Sequence, residues 1–278
     1  MFVALRLPQD ARFVQIAFQA VLLAAGVLIR DFSLAASQMA LCFAAGLATQ
    51  VFWIRALGLK NVGYLSAIIT CLGLSLLLRA DSGWVHPLAA ALALSAKFTL
   101  RLRGKHLFNP ANLGVVLAVL LLPGAWISPG QWGSDLALAV WFIALGGFVA
   151  SRAQRADTSW VFLVAYLLLI GAWYLWLGKN FAQWMHHLQN GALLLFAFFM
   201  ISDPMTTPDR RSARILHAVC VAAFAFAWQF LLYKPNGLIW ALFFCVPLVP
   251  LLDALLPGQR FRWREVPDPV PLLSTVMR

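Results

Sequence analysis

Long apolar segments alternate with short polar gaps along the whole of this 278-residue chain. At about 1.5 Å per residue, most of these segments are long enough for a helix to cross about 30 Å of hydrocarbon. The pattern predicts an all-α polytopic membrane protein with ten transmembrane helices. The predicted spans are 13–30, 34–54, 62–78, 84–100, 110–127, 135–151, 158–177, 185–202, 213–232 and 237–256.

The basic residues fall mainly in every second gap between these segments. If the N-terminus is cytoplasmic, the inside gaps hold 17 of the 21 Lys and Arg residues. Inside loops of membrane proteins carry an excess of Lys and Arg. We therefore expect both termini to lie in the cytoplasm. The outside gaps hold Arg30, Arg79, Lys179 and Lys234.

Composition supports a membrane protein and excludes several other classes. The chain is 62% hydrophobic and 11% charged, with a net charge of +11. A nucleic-acid binder would gather its positive charge on one face rather than in alternate loops, so we expect no nucleic-acid partner. The four cysteines stand singly inside apolar segments, and His186 and His187 have no third histidine at a matching spacing. We therefore expect no disulfide framework, metal site, haem or iron–sulfur cluster.

A weak internal repeat divides the chain into two halves. Residues 107–113 precede the fifth span, and residues 232–238 precede the tenth span at an offset of 125. Each half then has five spans, and because five is odd the halves must be inverted relative to each other. We predict a cytoplasmic N-terminus at 1–12, five-helix repeats at 13–127 and 128–256, and a cytoplasmic tail at 257–278.

The start of the fifth span has the residues of a helix N-terminus. Asn109 can cap the helix through its side chain, and Pro110 suits the first helical position because that position needs no N–H partner. The next proline is Pro123, about 20 Å further along a helix. We predict a helix that begins or breaks inside the bilayer, where its N-terminus would favour an anion or a polar cofactor edge. The alternative is an ordinary capped span that begins at the membrane surface.

A second set of polar residues follows the end of the eighth span. Asp203 comes directly after the apolar run 196–201, where a carboxylate is expensive unless it is bonded or functional. Asp203 with Pro204, and Thr207 with Pro208, each read as a cap followed by a proline. A capped turn and a ligand site are both consistent with this spacing.

These motifs resemble one known family in the order in which they occur. The residues that carry the resemblance are 105–111, then Gly191 and Ala192, then 198–200 with Asp203, Pro204 and Thr206, and finally 235–237 with 249–253. The family that they resemble contains the RnfD component of Rnf-type electron transport complexes and the NqrB component of the sodium-pumping NADH:quinone reductase.

The resemblance implies a urea-transporter-like fold of two inverted five-helix halves in the bacterial inner membrane. It also implies a flavin, FMN or riboflavin, and other membrane electron-transfer subunits or a flavinylated or redox partner protein. We expect the flavin contacts to come from Asn109, Pro110, Asn112, Asp203, Thr206 and Thr207.

Two departures from the family limit this interpretation. Its members attach FMN to a threonine after the fifth span, but residues 123–135 contain no threonine. We therefore expect a flavin that is held without a covalent bond. The chain also begins without the long N-terminal extension of the quinone reductase component, which indicates a shortened or divergent member.

Two functions stay open. The first is a membrane electron-transfer subunit that carries a flavin, with the redox chemistry supplied by the cofactor. The second is a channel or carrier for a small polar solute on the same inverted architecture. The basic gaps at 97–105 and 210–214 coincide with the two motifs, so we also expect some of these charges to serve a phosphate or a partner.

Overall fold

The structure is a computed structural model, and it describes residues 10–60, 62–128 and 136–261. Most of the predicted tails 1–12 and 257–278, and of the predicted loop 123–135, lies outside the described residues. The α-helices are α1 (Ala11–Ile29), α2 (Ala36–Ala56), α3 (Leu65–Leu77), α4 (Val85–Thr99), α5 (Pro110–Leu121), α6 (Leu136–Trp141), α7 (Gly147–Arg152), α8 (Ala156–Trp176), α9 (Phe181–Leu188), α10 (Gly191–Leu195), α11 (Arg211–Phe226), α12 (Gly237–Phe244) and α13 (Leu248–Leu255).

Three π-helical turns extend helices of the second half of the chain. Phe142–Gly146 joins α6 to α7, Phe196–Met200 continues α10, and Ala227–Leu231 continues α11. Each turn keeps the backbone hydrogen-bonded, as a segment in hydrocarbon requires.

Several helices are long and apolar enough to cross a membrane. Within the described residues, Ala11–Ile29, Ala36–Ala56, Ala156–Trp176 and Arg211–Leu231 meet this condition, and the bent pair α12 and α13 forms a fifth span if it is counted as one. The shorter apolar helices are Leu65–Leu77, Pro110–Leu121, Ala139–Arg152 and Gly191–Met200. The chain is therefore a mainly helical, multi-pass membrane protein, as the apolar pattern predicts.

Two of the predicted spans are broken into two helices, and a third, 110–127, is helical only as far as Leu121. Segment 185–202 is broken at Asn190, whose Oδ1 accepts the N–H groups of Ala192 and Leu193 at 2.9 and 3.3 Å and so starts α10. In segment 237–256, α12 and α13 meet at 48° next to Pro247, which lacks the N–H that a continuous helix needs.

Four short strands were not predicted from the apolar pattern. β1 (Leu78–Ala80) pairs antiparallel with β4 (Ala125–Ile127), and β2 (Arg101–Leu102) pairs with β3 (Lys105–His106). The first pair follows α3 and α5 and joins the ends of these two helices. The second is a hairpin between α4 and α5. Elements of two or three residues are too short to produce a period-2 pattern, which explains why the sequence does not indicate them.

The contacts between loops agree with the two predicted sets of gaps. The β1–β4 pair joins a gap predicted to lie outside to the predicted outer end of span 110–127. Lys105, in a predicted inside gap, contacts Asp209 of a later inside gap and Asp253 near the predicted inner end of span 237–256. Gly258 packs against the backbone of Arg210. Segments predicted to lie on the same side of the membrane thus contact one another.

Two basic residues that were counted as gap residues are buried. The guanidinium of Arg79 donates to the carbonyls of Ser75 and Leu78 at 2.8 and 2.6 Å, at the end of α3. Lys97 lies in α4, and its Nζ donates to Gln50 Oε1 at 3.0 Å and to Ser66 Oγ at 2.6 Å. Lys97 therefore connects three helices instead of lying in a loop.

Candidate functional site

The start of α5 has the predicted cap. Asn109 adopts extended backbone angles, and its Oδ1 accepts the N–H of Asn112 at 3.1 Å. Pro110 occupies the first turn, where its missing N–H has no helical partner to lose. α5 ends at Leu121, before Pro123. The short, proline-bounded helix predicted from the sequence is therefore confirmed.

The remaining polar atoms of Asn109 reach the loop that follows α10. Asn109 Nδ2 donates to the carbonyl of Met200 and to Asp203 Oδ2, both at 3.4 Å. Asp203 Oδ1 accepts the N–H of Met205 at 3.0 Å, and the Asp203 carbonyl accepts the N–H of Thr206 at 3.1 Å. The carboxylate of Asp203 thus closes a turn and also contacts the cap of α5, 94 residues away.

Asn112 connects α5 to α12. Its Nδ2 donates to the carbonyl of Ile239 at 3.0 Å, and the side chain is almost fully buried. A buried amide of this kind stabilises the contact mainly because leaving it unbonded would be costly. The structure therefore brings together Asn109, Asn112, Asp203 and Thr206 in one place, which we call the polar junction.

Thr207 belongs to the same region but is not a helix cap. Its Oγ1 accepts from Arg155 Nε at 2.9 Å, and its carbonyl accepts from Lys105 Nζ at 2.9 Å. α11 begins only at Arg211, and its N-cap residue, Arg210, makes no side-chain cap. The predicted helix cap at Thr207 is wrong, because the threonine hydroxyl accepts a hydrogen bond from the guanidinium of Arg155 and not from a backbone N–H at the start of a helix.

The ion pairs of Lys105 were not predicted from the sequence. Its Nζ lies 2.8 Å from Asp209 Oδ1 and 2.7 Å from Asp253 Oδ2. Asp253 Oδ1 also accepts the N–H of Asp209 at 2.7 Å. Lys105 and Asp253 both lie in the segments that carry the family resemblance. No local pattern pairs them, because they are 148 residues apart.

Burial shifts the pKa of two charged groups around the junction. It raises the pKa of Asp203, although the N–H of Met205, the hydroxyl of Thr206 and the nearby charges of Arg155 and Lys97 act in the opposite direction. Burial also lowers the pKa of Arg155 to about 10, so this guanidinium is still charged at neutral pH. Transfer from water disfavours the charged form of either group.

Two cavities of the described part of the chain lie close to these residues. The first, of about 210 Å³, has a basic lining, and we call it the basic cavity; its polar residues are Arg103, Lys105, His106, Asp209, Asp253 and Arg260. The second, of about 130 Å³, is the inner cavity; its polar residues are Tyr166, His187, Asn190, Gln229 and Asn236.

None of the six predicted flavin contacts lines either cavity. Asn109 and Asn112 instead bond to the carbonyls of Met200 and Ile239, and both of these residues line the inner cavity. Pockets that hold drug-sized ligands usually measure about 300–1,000 Å³. In the arrangement described, Asn109 and Asn112 contact the wall of the inner cavity, and a flavin contact by the six residues stays a prediction.

Comparison with known proteins identifies the same family as the motifs do. A family model described as the NQR2, RnfD, RnfE family matches residues 126–262. The predicted family resemblance is confirmed. The matched segment includes Asp203, Thr206 and Thr207 and all of α12, but it does not reach Asn109. The resemblance of the first half of the chain stays a prediction.

Curated relatives are named as the D component of an ion-translocating oxidoreductase complex. The protein from Stutzerimonas stutzeri is 27% identical over 151 residues, which cover 52% of this chain and 36% of the relative. The protein from Cronobacter sakazakii is 28% identical over 151 residues, which cover 54% and 41%. The protein from Escherichia fergusonii is 24% identical over 129 residues, which cover 46% and 32%. The chain thus spans between 32% and 41% of the length of these relatives.

Proposed function

We propose that this chain is an integral membrane subunit of an ion-translocating oxidoreductase complex, with other membrane electron-transfer subunits as its partners. The family match over residues 126–262 carries this proposal. The matched segment contains the Asp203 loop and α12, the two elements that α5 contacts at the polar junction. The junction is thus built around the part of the chain that the relatives share.

The proposed arrangement in the bacterial inner membrane has ten spans in two inverted halves with both termini cytoplasmic. It is supported by the 17-to-4 division of basic residues and by the grouping of the loops into two sets. A fluorescent protein that matures only in the cytoplasm, fused to the C-terminus, should fluoresce. A dark fusion that is present at normal levels in the membrane would overturn this orientation.

A flavin in this chain is proposed only as a noncovalent ligand. Residues 123–135 offer no threonine for a phosphoester bond. The hydrogen bonds of the polar junction would also have to break before a flavin ring could contact its side chains, because these side chains are already hydrogen-bonded to other parts of the protein. A denaturing gel viewed under ultraviolet light should therefore show no fluorescent band at the mass of the chain, and a bright band would contradict this proposal.

Flavin retention tests the redox function directly. Protein purified gently from membranes should be yellow and should release flavin on denaturation. Asn109→Ala and Asp203→Asn should lower the ratio of flavin to protein. Thr99→Ala, an exposed change at the end of α4, should leave that ratio unchanged. A colourless wild-type protein that also fails to co-purify with other membrane subunits would overturn the electron-transfer role.

The inner cavity favours a second candidate function, the passage of a small polar solute. Tyr166 Oη donates to Gln229 Oε1 at 3.4 Å, and the carboxamides of Asn190 and Asn236 also face this space. Its described lining contains no carboxylate, Lys or Arg, which favours a neutral solute. Liposomes with the purified protein should then shrink and recover faster in a urea gradient than empty liposomes, and Gln229→Leu should abolish the difference. Equal rates would exclude this function.

A further inference from the structure

We propose that the basic cavity binds the phosphate group of a phosphate-bearing ligand. This proposal depends on neither the flavin nor the electron-transfer role. It rests on three guanidinium groups, on a glycine that allows one of them to lie against the chain, and on the charge balance of the cavity.

Three arginines meet where the β2–β3 hairpin approaches the segment after α13. Arg103 and Arg260 line the basic cavity. Arg101 lies beside them, and its Nη2 donates to the carbonyl of Gly104 at 2.8 Å, whereas its buried Nε has no acceptor in the described part of the chain. Within the same residues, none of the three pairs with a carboxylate. The charge of Arg260 acts on Arg101, and an anion between such like charges would reduce their repulsion.

Gly104 allows this close approach. It lies at the turn of the hairpin with a φ of +76°, a conformation that favours glycine. A Cβ at this position would overlap the guanidinium of Arg260. The guanidinium of Arg260 therefore lies directly against the hairpin backbone at Gly104.

The other charges of the cavity offset the arginines only in part. Asp209 and Asp253 line the cavity and both pair with Lys105, so these three groups leave one negative charge against the three arginines. His106 adds no positive charge near neutral pH, because burial and the charges of Lys97, Arg101 and Arg260 lower its pKa to about 3. Burial, and then the charge of Arg260, lower the pKa of Arg101 as well. The excess positive charge is thus concentrated on the guanidinium side.

Phosphate matches this arrangement better than a simple halide would. A guanidinium donates two parallel hydrogen bonds to phosphate oxygens, and two arginines can enclose one phosphate group. The lining of the cavity also includes the apolar wall residues Leu107, Val249, Pro250 and Pro257. That wall suits the carbon substituent of a phosphate ester. The phosphate could belong to the headgroup of an acidic lipid or to a soluble phosphate monoester, and both would make the same contacts.

The test uses delipidated full-length protein in detergent and follows unfolding by intrinsic tryptophan fluorescence. The probes are inorganic phosphate, short-chain phosphatidylglycerol and short-chain phosphatidylcholine. At least one of the first two should raise the Tm of the wild type more than phosphatidylcholine does. In the double variant Arg103→Gln with Arg260→Gln, the apparent affinity should fall about tenfold or more. Arg55→Gln, an exposed arginine in another basic gap, serves as the matched control.

The outcomes separate the sources and can overturn the proposal. A response to inorganic phosphate assigns the site to a soluble phosphate, and a response to phosphatidylglycerol alone assigns it to a lipid headgroup. The double variant without ligand should be at least as stable as the wild type, because a repulsion has been removed. A double variant that responds like the wild type, an equal loss in Arg55→Gln, or no response to either probe would each overturn the proposal.

Discussion

Asn112 makes two hydrogen bonds, one from its backbone N–H and one from its side-chain amide. Its backbone N–H completes the cap of α5, and its side chain donates to the carbonyl of Ile239 on α12. Asn112→Leu should destabilise the protein by about 0.5–1.5 kcal/mol, because it removes a buried hydrogen bond to the carbonyl of Ile239. Denaturant unfolding in detergent measures this change. Thr99→Ala removes only an exposed bond within one helix and should cost less than about 0.5 kcal/mol. Equal effects of the two variants would contradict the role of Asn112.

Asp203 should make stability depend on pH in a defined direction. Burial raises its pKa above the ordinary value of 3.8. A group whose pKa is raised in the folded state favours folding at low pH, and that contribution is lost as pH rises through the folded pKa. Asp203→Asn keeps the shape of the side chain without its charge.

The Tm of Asp203→Asn minus that of the wild type should therefore increase from about pH 4 towards neutral pH. A thermal unfolding series between pH 4 and 8 would measure this difference. A difference that falls over the same range would show that hydrogen bonds to the carboxylate outweigh its burial.

At the scale of elements, α5 depends on a small residue where it crosses its neighbours. A Cβ on Gly114 would lie 2.9 Å from both Ala93 Cβ and Leu74 Cδ2, and 3.1 Å from the carbonyl of Ala89. Small residues permit such close helix packing in membranes. Gly114→Ala should therefore cost about 1–3 kcal/mol through overpacking.

Gly147→Ala is the matched control for that change, because it is also helical and its Cβ would have ordinary contacts at 3.9 Å. The better helix propensity of alanine should leave the control as stable as the wild type or slightly more stable. Denaturant unfolding of the two variants provides the comparison. An unchanged stability of Gly114→Ala would show that α5 can move away from α3 and α4.

The elements show what could and could not be predicted from local patterns. The cap at Asn109 and the short helix from Pro110 depend on neighbouring residues, so the sequence predicts them correctly. The break at Asn190 inside segment 185–202 was missed because hydropathy over a long window does not register a single capping side chain. The partners of Thr207 were also missed, since Arg155 and Lys105 lie 52 and 102 residues away. Contacts at such separations depend on tertiary packing.

At the scale of the whole molecule, Lys105 connects three segments that are far apart in the sequence. It lies on the hairpin after α4, and it pairs with Asp209 before α11 and with Asp253 in α13. All three side chains are largely buried, with exposed fractions of 10%, 13% and 13%. A buried pair is not by itself evidence of net stabilisation, but removal of one partner leaves a charge buried without compensation.

Lys105→Met should therefore destabilise the protein by about 3–5 kcal/mol, because two carboxylates lose their common partner. Addition of Asp253→Asn to that variant should recover part of the loss, whereas additivity of the two changes would show that the groups are not coupled. Lys60→Met, at an exposed lysine, should have little effect. Denaturant unfolding of the four variants of this cycle measures the coupling. A coupling near zero would mean that the first-half hairpin and the α13 segment are held together by their apolar contacts alone.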